Sequence, residues 1–559
     1  MKMNGKKILS LVGATLISIP SLFANNEQGI DYYRAELYDA AKIFFMKQTN
    51  QSTQEKAENY YYLGQTYYEL QKKDSAAYYY QKSIETDTEY PFGYIGEGKI
   101  ALSNGDKKGA EALFKKANGF AKKDPSIQTT VAEVYIDAKM YPEAEDALSK
   151  ARKANKNYSG IYVAEGDMLM EQGKVGEASA RYENAIHFDK SDKVAHLKLA
   201  RVYKSINTDE ALKYLDELVT MDPNYIPAYA ELGDINYSTG FYGKAIEAYE
   251  KFIAIPGVPL EQHAKYAQLL YFTDQYDKSL NQIKYVLQKD PSNFVMHRLE
   301  AYNNFKLDNI EVGTQQMQTF LNTTAADKHI ALDYLTYGRL LLKNKQPELA
   351  IENFLKAAEM GDVKSEVYKE IANAYESAGN YPEAVVSYEK YFEAEQTPVV
   401  FDFFYYGQAC YYAASELIPS AGSTLTPEQQ EVNNQGLRTY VEKGDKAFAE
   451  VISRSPESYL GFLWRARINS FLDVAQQAAT GKMDGAAKTM YEEAINMMLA
   501  RNEDGSRTKD IIEGYRYLGS YYILLDDTPN AGEMYKKILE LDPANEMAKS
   551  TLDALKIKY

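Results

Sequence analysis

The chain is poor in the residues that form covalent cross-links and metal sites. It has one cysteine, Cys410, and one tryptophan among 559 residues. A single thiol cannot close an intramolecular disulfide, so packing must hold the fold together. The five histidines are scattered and never show a spacing typical of metal ligands; they are His187, His196, His263, His297 and His329. The sequence therefore predicts no metal site and no cofactor, with each histidine at the surface or in packing.

Basic charge is also in short supply. The chain has 63 Lys and Arg against 79 Asp and Glu, a formal net charge of −16. An acidic surface repels phosphate backbones and anionic lipid. We therefore expect no nucleic-acid partner, and any protein partner should be neutral or basic where it docks.

Long hydrophobic runs are missing beyond the N-terminus. The run from Ile8 to Ile19 has 12 residues, whereas a membrane-spanning helix needs about 20. It follows a lysine-bearing start and precedes Pro20 and the sequence Leu22-Phe23-Ala24. This layout is typical of a secretory signal peptide, with an uncleaved anchor as the alternative. We expect residues 1–24 to be removed and the protein to be exported to the periplasm or envelope, with no integral membrane segment.

Proline and runs of β-branched residues are scarce, and helix-forming residues are abundant. There are 17 prolines, while Ala, Glu, Lys and Leu are common. A chain of 559 residues is too long for one hydrophobic core. The composition therefore favours an array of helices over a single globule.

What the sequence does contain is a repeat. A first ladder of small residues recurs at steps of about 34: Gly64, Gly98, Ala132, Gly166, Ala200, Gly233, Ala267, Ala301, Gly338, Ala372 and Gly407. A second ladder stands about twelve positions later: Ala76, Ala110, Ala144, Ala178, Ala211, Ala245, Ser279, Gly313, Ala350 and Ala384. A larger side chain, such as Phe114 or Tyr182, follows four positions after each member of the second ladder. Spacings of three and four predict helices, so each unit should be a pair of antiparallel helices. We attribute the small residues to close contact between two helix backbones.

One unit carries the pattern most completely. It reads YRYLGSYYILLDDTPNAGEMYKKILELDP and matches through Tyr515, Leu518, Gly519, Tyr522, Ala531, Tyr535, Ile538 and Pro543. This unit resembles the tetratricopeptide repeat (TPR). The resemblance extends over about residues 28–557. It implies an all-α fold, an α-α superhelix or TPR solenoid of about 13–14 helix-turn-helix repeats, and a protein-binding role without catalysis.

The period breaks after residue 399. We divide the chain into a signal peptide (1–24), a regular array (25–398), units with extended helices and an inserted loop (399–510), and a final repeat with a capping helix (511–559). Thr426 followed by Pro427 and Gln429 predicts a helix start with a capping box. That helix should run to about Arg454.

In the TPR family the first helix of each unit lines the concave face, and certain of its positions usually contact ligands. Those positions are rich in aromatic groups here, which suits peptide recognition. The candidate partner-binding residues are Tyr61, Tyr68, Tyr271, Phe272, Tyr302, Phe305, Arg339, Phe401, Phe404, Gln408, Tyr411 and Tyr412. The cluster at 401–412 is the preferred surface. About half of these side chains could instead fill gaps between repeats.

The expected function is a non-enzymatic scaffold that binds an envelope protein or peptide on its concave face. The alternative is a surface glycan- or nutrient-binding accessory protein of an outer-membrane uptake system. Members of that alternative class resemble lipoproteins rich in tryptophan, and this chain has neither feature. Some family members clamp the carboxylate tails of chaperones. Lys369 and Asn373 fit that clamp, but Tyr405 stands where an Asn is needed, so tail binding is not expected.

Overall fold

A computed structural model describes residues 26–48, 51–361, 363–419, 425–502 and 504–559. Over these residues every element is helical, and the predicted all-α fold class is confirmed. The signal peptide predicted for residues 1–24 lies outside the described residues. Within the described ranges, no helix combines the length and apolar character needed to cross a membrane.

The chain divides into two compact units, Met1–Met296 and His297–Tyr559. The point of division lies inside helix α17, Phe294–Lys306. It differs from the boundary near residue 398 suggested by the sequence, and that finer division stays a prediction.

The first unit contains sixteen complete helices in its described residues. They are α1 (Glu27–Arg34), α2 (Tyr38–Lys47), α3 (Thr53–Glu69), α4 (Lys73–Thr86), α5 (Pro91–Ser103), α6 (Lys107–Phe120), α7 (Pro125–Asp137), α8 (Tyr141–Ala154), α9 (Ser159–Glu171), α10 (Val175–Phe188), α11 (Lys193–Tyr203), α12 (Thr208–Met221), α13 (Ile226–Ser238), α14 (Tyr242–Phe252), α15 (Leu260–Phe272) and α16 (Tyr276–Lys289).

The remaining helices belong to the second unit, and two of them are longer than 20 residues. Its helices are α18 (Ile310–Thr323), α19 (Ala331–Lys343), α20 (Pro347–Glu359), α21 (Glu366–Ser377), α22 (Tyr381–Ala394), α23 (Val400–Glu416), α24 (Pro427–Arg454), α25 (Tyr459–Thr480), α26 (Lys488–Leu499), α27 (Thr508–Leu524), α28 (Thr528–Leu541) and α29 (Glu546–Ala554), with a short 3-10 helix at Ala326–Lys328. Taken in chain order, helices α1 to α28 give fourteen helix pairs in the described chain, in agreement with the predicted 13–14 units. Helix α29 stands where the capping helix was predicted.

Short turns join the two helices of a pair, and most of them place one residue in the left-handed backbone region. Gly173 has φ +74°, and Lys139 occupies the same kind of position at φ +58°. At the first of these turns the Lys174 amide donates to the Leu169 carbonyl at 2.9 Å. This bond satisfies a carbonyl at the helix end and reverses the chain, as at many helix C-termini.

The glycines of the first ladder lie against an aromatic ring. A Cβ atom at Gly98 would lie 2.3 Å from Cε1 of Phe114, and one at Gly166 would lie 2.3 Å from Cε1 of Tyr182. In both cases the ring belongs to the second helix of the same pair, sixteen residues later. The expectation of contact between two bare backbones is therefore corrected, because a large side chain covers the small residue.

The first unit closes on itself through its N-terminal pair, α1 and α2. This pair packs against α3 and also against α11 and α13, where Leu37 packs on the same apolar clusters as Val219 and Leu232. Polar contacts join the same elements: Lys193 Nζ is 2.7 Å from Asp31 Oδ2, in residues 162 positions apart. The first helices of the pairs from α3 to α12 and the N-terminal pair thus form a closed ring.

Gly257 permits part of this closure. It lies after α14 with φ +84°, and a Cβ atom there would be 2.7 Å from the Ala40 amide nitrogen in α2. Both the backbone angle and the close approach favour glycine. The turn after α14 can therefore lie directly against the N-terminal pair.

The long helices of the second unit confirm the predicted period break. Helix α24 runs from Pro427 to Arg454, and its capping box is present: the Gln429 amide donates to Thr426 Oγ1 at 3.2 Å, and the Thr426 amide donates to Gln429 Oε1 at 2.9 Å. Both ends of this helix lie where the sequence predicts them.

Candidate interaction site

The preferred surface contains a row of exposed aromatic side chains on one face of α23. Phe401 is 63% exposed, Tyr405 49% and Tyr412 39%. With the half-buried Gln408 they follow spacings of four, three and four, which place them on the same helix face. We call Phe401, Tyr405 and Tyr412 the α23 row. Tyr405 was not among the predicted contact residues, although its spacing from Phe401 could have revealed it.

Two other predicted residues of α23 support this row from below. The rings of Phe404 and Tyr411 lie with their centroids 6.0 and 5.3 Å from that of Trp464 on α25, in edge-on geometry. Both side chains are half-buried in the core of the second unit. Trp464 is in turn covered by the guanidinium of Arg467, 5.0 Å from its ring. Phe404 and Tyr411 are therefore packing residues beneath the exposed row.

The charges beside the α23 row are mostly neutralised. Lys369 Nζ lies 3.1 Å from Oδ1 of Asp402, a buried carboxylate that also accepts a hydrogen bond from Tyr391 at 2.7 Å. The lysine that fits a carboxylate clamp thus already has an acidic partner. Glu376 on α21 differs, because no described residue pairs with its carboxylate and burial raises its pKa to about 7.

The candidates of the first unit are less exposed than expected. Tyr61 is buried, and Tyr68 is half-buried beneath Lys99 Nζ, 4.3 Å from its ring. On α15, Tyr271 is half-buried and Phe272 is exposed. The sequence predicted Tyr61 to be an exposed contact residue, and this prediction is wrong because its side chain is buried.

In the second unit, three further candidates have partners inside the protein. Tyr302 is buried and donates to Asp333 Oδ1 at 2.6 Å. Phe305 is half-buried, and Arg339 Nε donates to Glu370 at 2.9 Å. Tyr302 is therefore a second correction to the predicted exposure.

The ring of the first unit encloses a cavity of about 350 Å³ that the sequence did not reveal. Its walls come from α1, α3, α5, α7, α9 and α11, the first helices of successive pairs. Both aromatic and charged side chains line it. The repeat pattern predicts which face these helices share, whereas closure of the ring depends on contacts between distant residues.

The lone thiol does not behave as a nucleophile. Cys410 is fully buried, and burial raises its pKa to about 12, which keeps it protonated at neutral pH. In the described ranges, His, Cys, Asp and Glu side chains form no group able to hold a metal ion.

Comparisons with known proteins point to one family. Tetratricopeptide repeat models match residues 58–87, 194–225 and 226–256. The small glutamine-rich tetratricopeptide repeat-containing protein 2 of Saccharomyces cerevisiae is 27% identical over 139 residues, which cover 24% of this chain and 35% of that protein. The Hsp70-Hsp90 organizing protein of Triticum aestivum is 24% identical over 225 residues, covering 34% and 39%. The chain thus spans little more than a third of the length of these relatives.

Two solved structures are also similar to parts of this chain. The C-terminal part of a TPR repeat-containing protein from Cytophaga hutchinsonii is 25% identical, covers 52% of this chain and 98% of that chain, and has a TM-score of 0.38. A tetratricopeptide repeat protein from Parabacteroides merdae is 19% identical, with 45% and 98% covered and a TM-score of 0.28. The family models match three segments of this chain, and the helical pairs and the two ladders of small residues show the same repeat, so this chain contains tetratricopeptide repeats.

Proposed function

We propose that this protein is a non-enzymatic scaffold of the cell envelope that binds a protein or peptide partner through the α23 row. Tetratricopeptide repeats imply a protein–protein interaction scaffold. The observation that carries the choice of surface is the exposure of Phe401, Tyr405 and Tyr412 on one helix face. Exposed large apolar groups that lie together commonly mark an interaction site.

The packing beneath the row supports this role. Trp464, Phe404 and Phe448 form an aromatic layer with ring centroids 6.0 to 6.1 Å apart. A row held on such a layer is pre-ordered, so little conformational entropy is lost when a partner binds. Contact residues of this kind contribute much of the binding free energy in protein interfaces.

The partner should offer apolar side chains and a neutral or basic surface. The chain carries a formal charge of −16. Acidic partners would therefore be repelled, most strongly at low ionic strength. Binding should weaken as salt concentration rises.

Photo-crosslinking in living cells tests the surface directly. A photoreactive amino acid at Tyr405 should capture a defined partner, whereas one at the equally exposed Tyr78 on α4 should not. The variant Phe401→Ala/Tyr405→Ala/Tyr412→Ala should lose this partner. The matched variant Tyr78→Ala/Phe241→Ala/Tyr285→Ala removes three exposed aromatic groups elsewhere and should retain it. Equal capture by both triple variants would exclude the α23 row.

Location in the envelope is part of the proposal and rests on the predicted signal peptide. N-terminal sequencing of the protein purified from the periplasmic fraction should begin after Ala24. An intact N-terminus in the cytoplasmic fraction would contradict export without affecting the proposed surface.

A further inference from the structure

The ring cavity of the first unit has the size of a small-molecule site. Its volume is about 350 Å³, within the range of ligand pockets in proteins. Helix α1 of the N-terminal pair forms one wall and α7 another. Because the ring is closed, the cavity is suited to a short ligand and not to an extended chain laid across the repeats.

Nine charged side chains line this cavity, and most of them neutralise each other. Lys99 Nζ lies 3.1 Å from Glu69 and 2.8 Å from Asp137. Lys198 Nζ lies 2.8 Å from Asp167. These five residues therefore have little free charge to offer a ligand.

Two more lining carboxylates are also engaged. Glu36 Oε1 is 3.2 Å from Arg201 Nη1, across the ring closure. Asp192 caps α11 by accepting the Ala195 amide at 2.9 Å. Seven of the nine charged residues thus have a partner in the protein.

The remaining two carry opposite charges. Arg34 on α1 and Glu133 on α7 are both exposed to the cavity. They form no ion pair with each other or with any other described residue, although Arg34 lies beside the Tyr62 hydroxyl. Burial raises the pKa of Glu133, and the charge of Arg34 offsets this only in part. A guanidinium and a carboxylate that line one cavity and form no ion pair among the described residues call for a ligand that carries both charges.

The other wall groups suit an apolar side chain. The rings of Tyr33, Tyr61, Tyr62, Phe92 and Tyr158 line the cavity. Aromatic walls favour flat or branched apolar groups.

We propose that the ring cavity binds a small zwitterion, a free amino acid or a dipeptide, with its carboxylate at Arg34 and its ammonium group at Glu133. The ligand's side chain lies against the tyrosine rings. Guanidinium and carboxylate groups pair in bidentate geometry, which gives the Arg34 end its selectivity. This site is separate from the α23 row and does not rest on the function proposed there.

Calorimetry on the full mature chain tests the proposal with defined probes. The two zwitterions are L-phenylalanine and glycyl-L-phenylalanine, and their comparison distinguishes an amino acid from a dipeptide as ligand. N-acetyl-L-phenylalaninamide keeps the ring and lacks both charges. We expect at least one zwitterion to bind and to raise Tm at about 10 mM. The blocked compound should bind at least about tenfold more weakly. Equal binding of charged and blocked compounds, or no binding of either zwitterion, would overturn the proposal.

Two charge-removing variants assign the ends of the ligand. Glu133→Gln should abolish the preference for a ligand with a free amine over the same ligand with an N-acetyl group. Arg34→Gln should abolish the preference for a ligand with a free carboxylate over the same ligand with a carboxamide. Each should weaken zwitterion binding at least about tenfold. Glu145→Gln and Lys153→Gln on the outer helix α8 are matched controls that should bind as the parent does. If either variant binds the zwitterion with the affinity of the parent, the assignment of Arg34 and Glu133 is refuted. The comparison of zwitterions with the blocked compound uses the parent protein and does not depend on whether a variant folds.

Discussion

At the scale of single residues, the glycines of the first ladder can be separated from glycines that merely lie in helices. Gly98 faces Phe114, whose ring is buried in the core of the first unit. Gly119 lies in α6 with open space around it. The same substitution should therefore have opposite effects at the two positions.

Gly98→Ala should lower stability by roughly 1–3 kcal/mol, because the new methyl group would lie 2.3 Å from the Phe114 ring. Gly119→Ala should raise stability by up to about 1 kcal/mol, because alanine favours the helix and meets nothing. Thermal unfolding followed by circular dichroism should show the midpoint falling for the first variant and rising for the second. A rise for both would mean that the ring does not require glycine at residue 98.

A second residue-scale prediction concerns pH. Burial raises the pKa of Glu376 to about 7, from an ordinary value of 4.5. Between these values the folded protein holds a proton that the unfolded chain releases, so stability should fall as pH rises from about 4.5 to 7. Glu376→Gln should remove this loss and stabilise the protein at pH 8 by roughly 1–3 kcal/mol.

The matched control for this prediction is Glu352→Gln, which removes one exposed carboxylate of the same unit. Its pH profile of Tm should run parallel to that of the parent. If Glu376→Gln also ran parallel to the parent, the carboxylate would have to be charged and solvated at neutral pH.

Sequence patterns predicted the helix faces but not which side chains remain exposed. Tyr302 is buried, and its hydroxyl donates a hydrogen bond to Asp333, a partner 31 positions away. Phe404 and Tyr411 are covered because Trp464 lies over them. The exposure of a side chain depends on the helices that pack against its own helix, whereas sequence periodicity describes a single helix.

At the scale of elements, the turn between α25 and α26 is held by one buried carboxylate. Asp473 is 1% exposed and accepts the backbone amides of Gly485, Ala486 and Ala487 at 2.8, 2.9 and 3.1 Å. Three amide donors, together with the Tyr517 hydroxyl, stabilise the negative charge. An acceptor twelve residues earlier in the chain leaves no local signal in the sequence of the turn.

Asp473→Asn should lower stability by about 2 kcal/mol, because an amide replaces one of the two acceptor oxygens. Hydrogen exchange should also become faster at the amides of residues 485–487. Asp484→Asn, an exposed change in the same turn, is the control and should alter neither quantity. Unchanged exchange in Asp473→Asn would show that the turn holds without this charge.

By contrast, helix α24 could be predicted at both ends. Its start is encoded by neighbouring residues, Thr426, Pro427 and Gln429, whose side chains and backbone satisfy each other. Capping depends on contacts three positions apart, so it can be read from a short stretch. The difference from Asp473 is the distance along the chain between the interacting groups.

At the scale of the whole molecule, the first unit shows what a repeat pattern leaves open. Successive helix pairs have a similar length and pattern in the sequence. The sequence therefore predicts an open array in which each pair packs only on its neighbours. Closure arises where small rotations between pairs bring α1 and α2 back to α11 and α13. The contacts that hold the ring closed join residues more than 160 positions apart. For example, Arg201 Nη2 donates to the carbonyl oxygen of Ala35 at 2.9 Å.

Closure can be tested with two glycines of nearly equal backbone geometry. Gly257 has φ +84° and would carry a Cβ atom 2.7 Å from the Ala40 amide nitrogen, whereas Gly105 has φ +83° and open space. Alanine costs similar backbone strain at both positions, but only Gly257→Ala also pushes against α2. Hydrogen exchange in α1 and α2 should become at least about tenfold faster in Gly257→Ala and stay unchanged in Gly105→Ala. Because strain is matched, equal protection of the N-terminal pair in both variants would mean that the turn after α14 does not hold the ring closed.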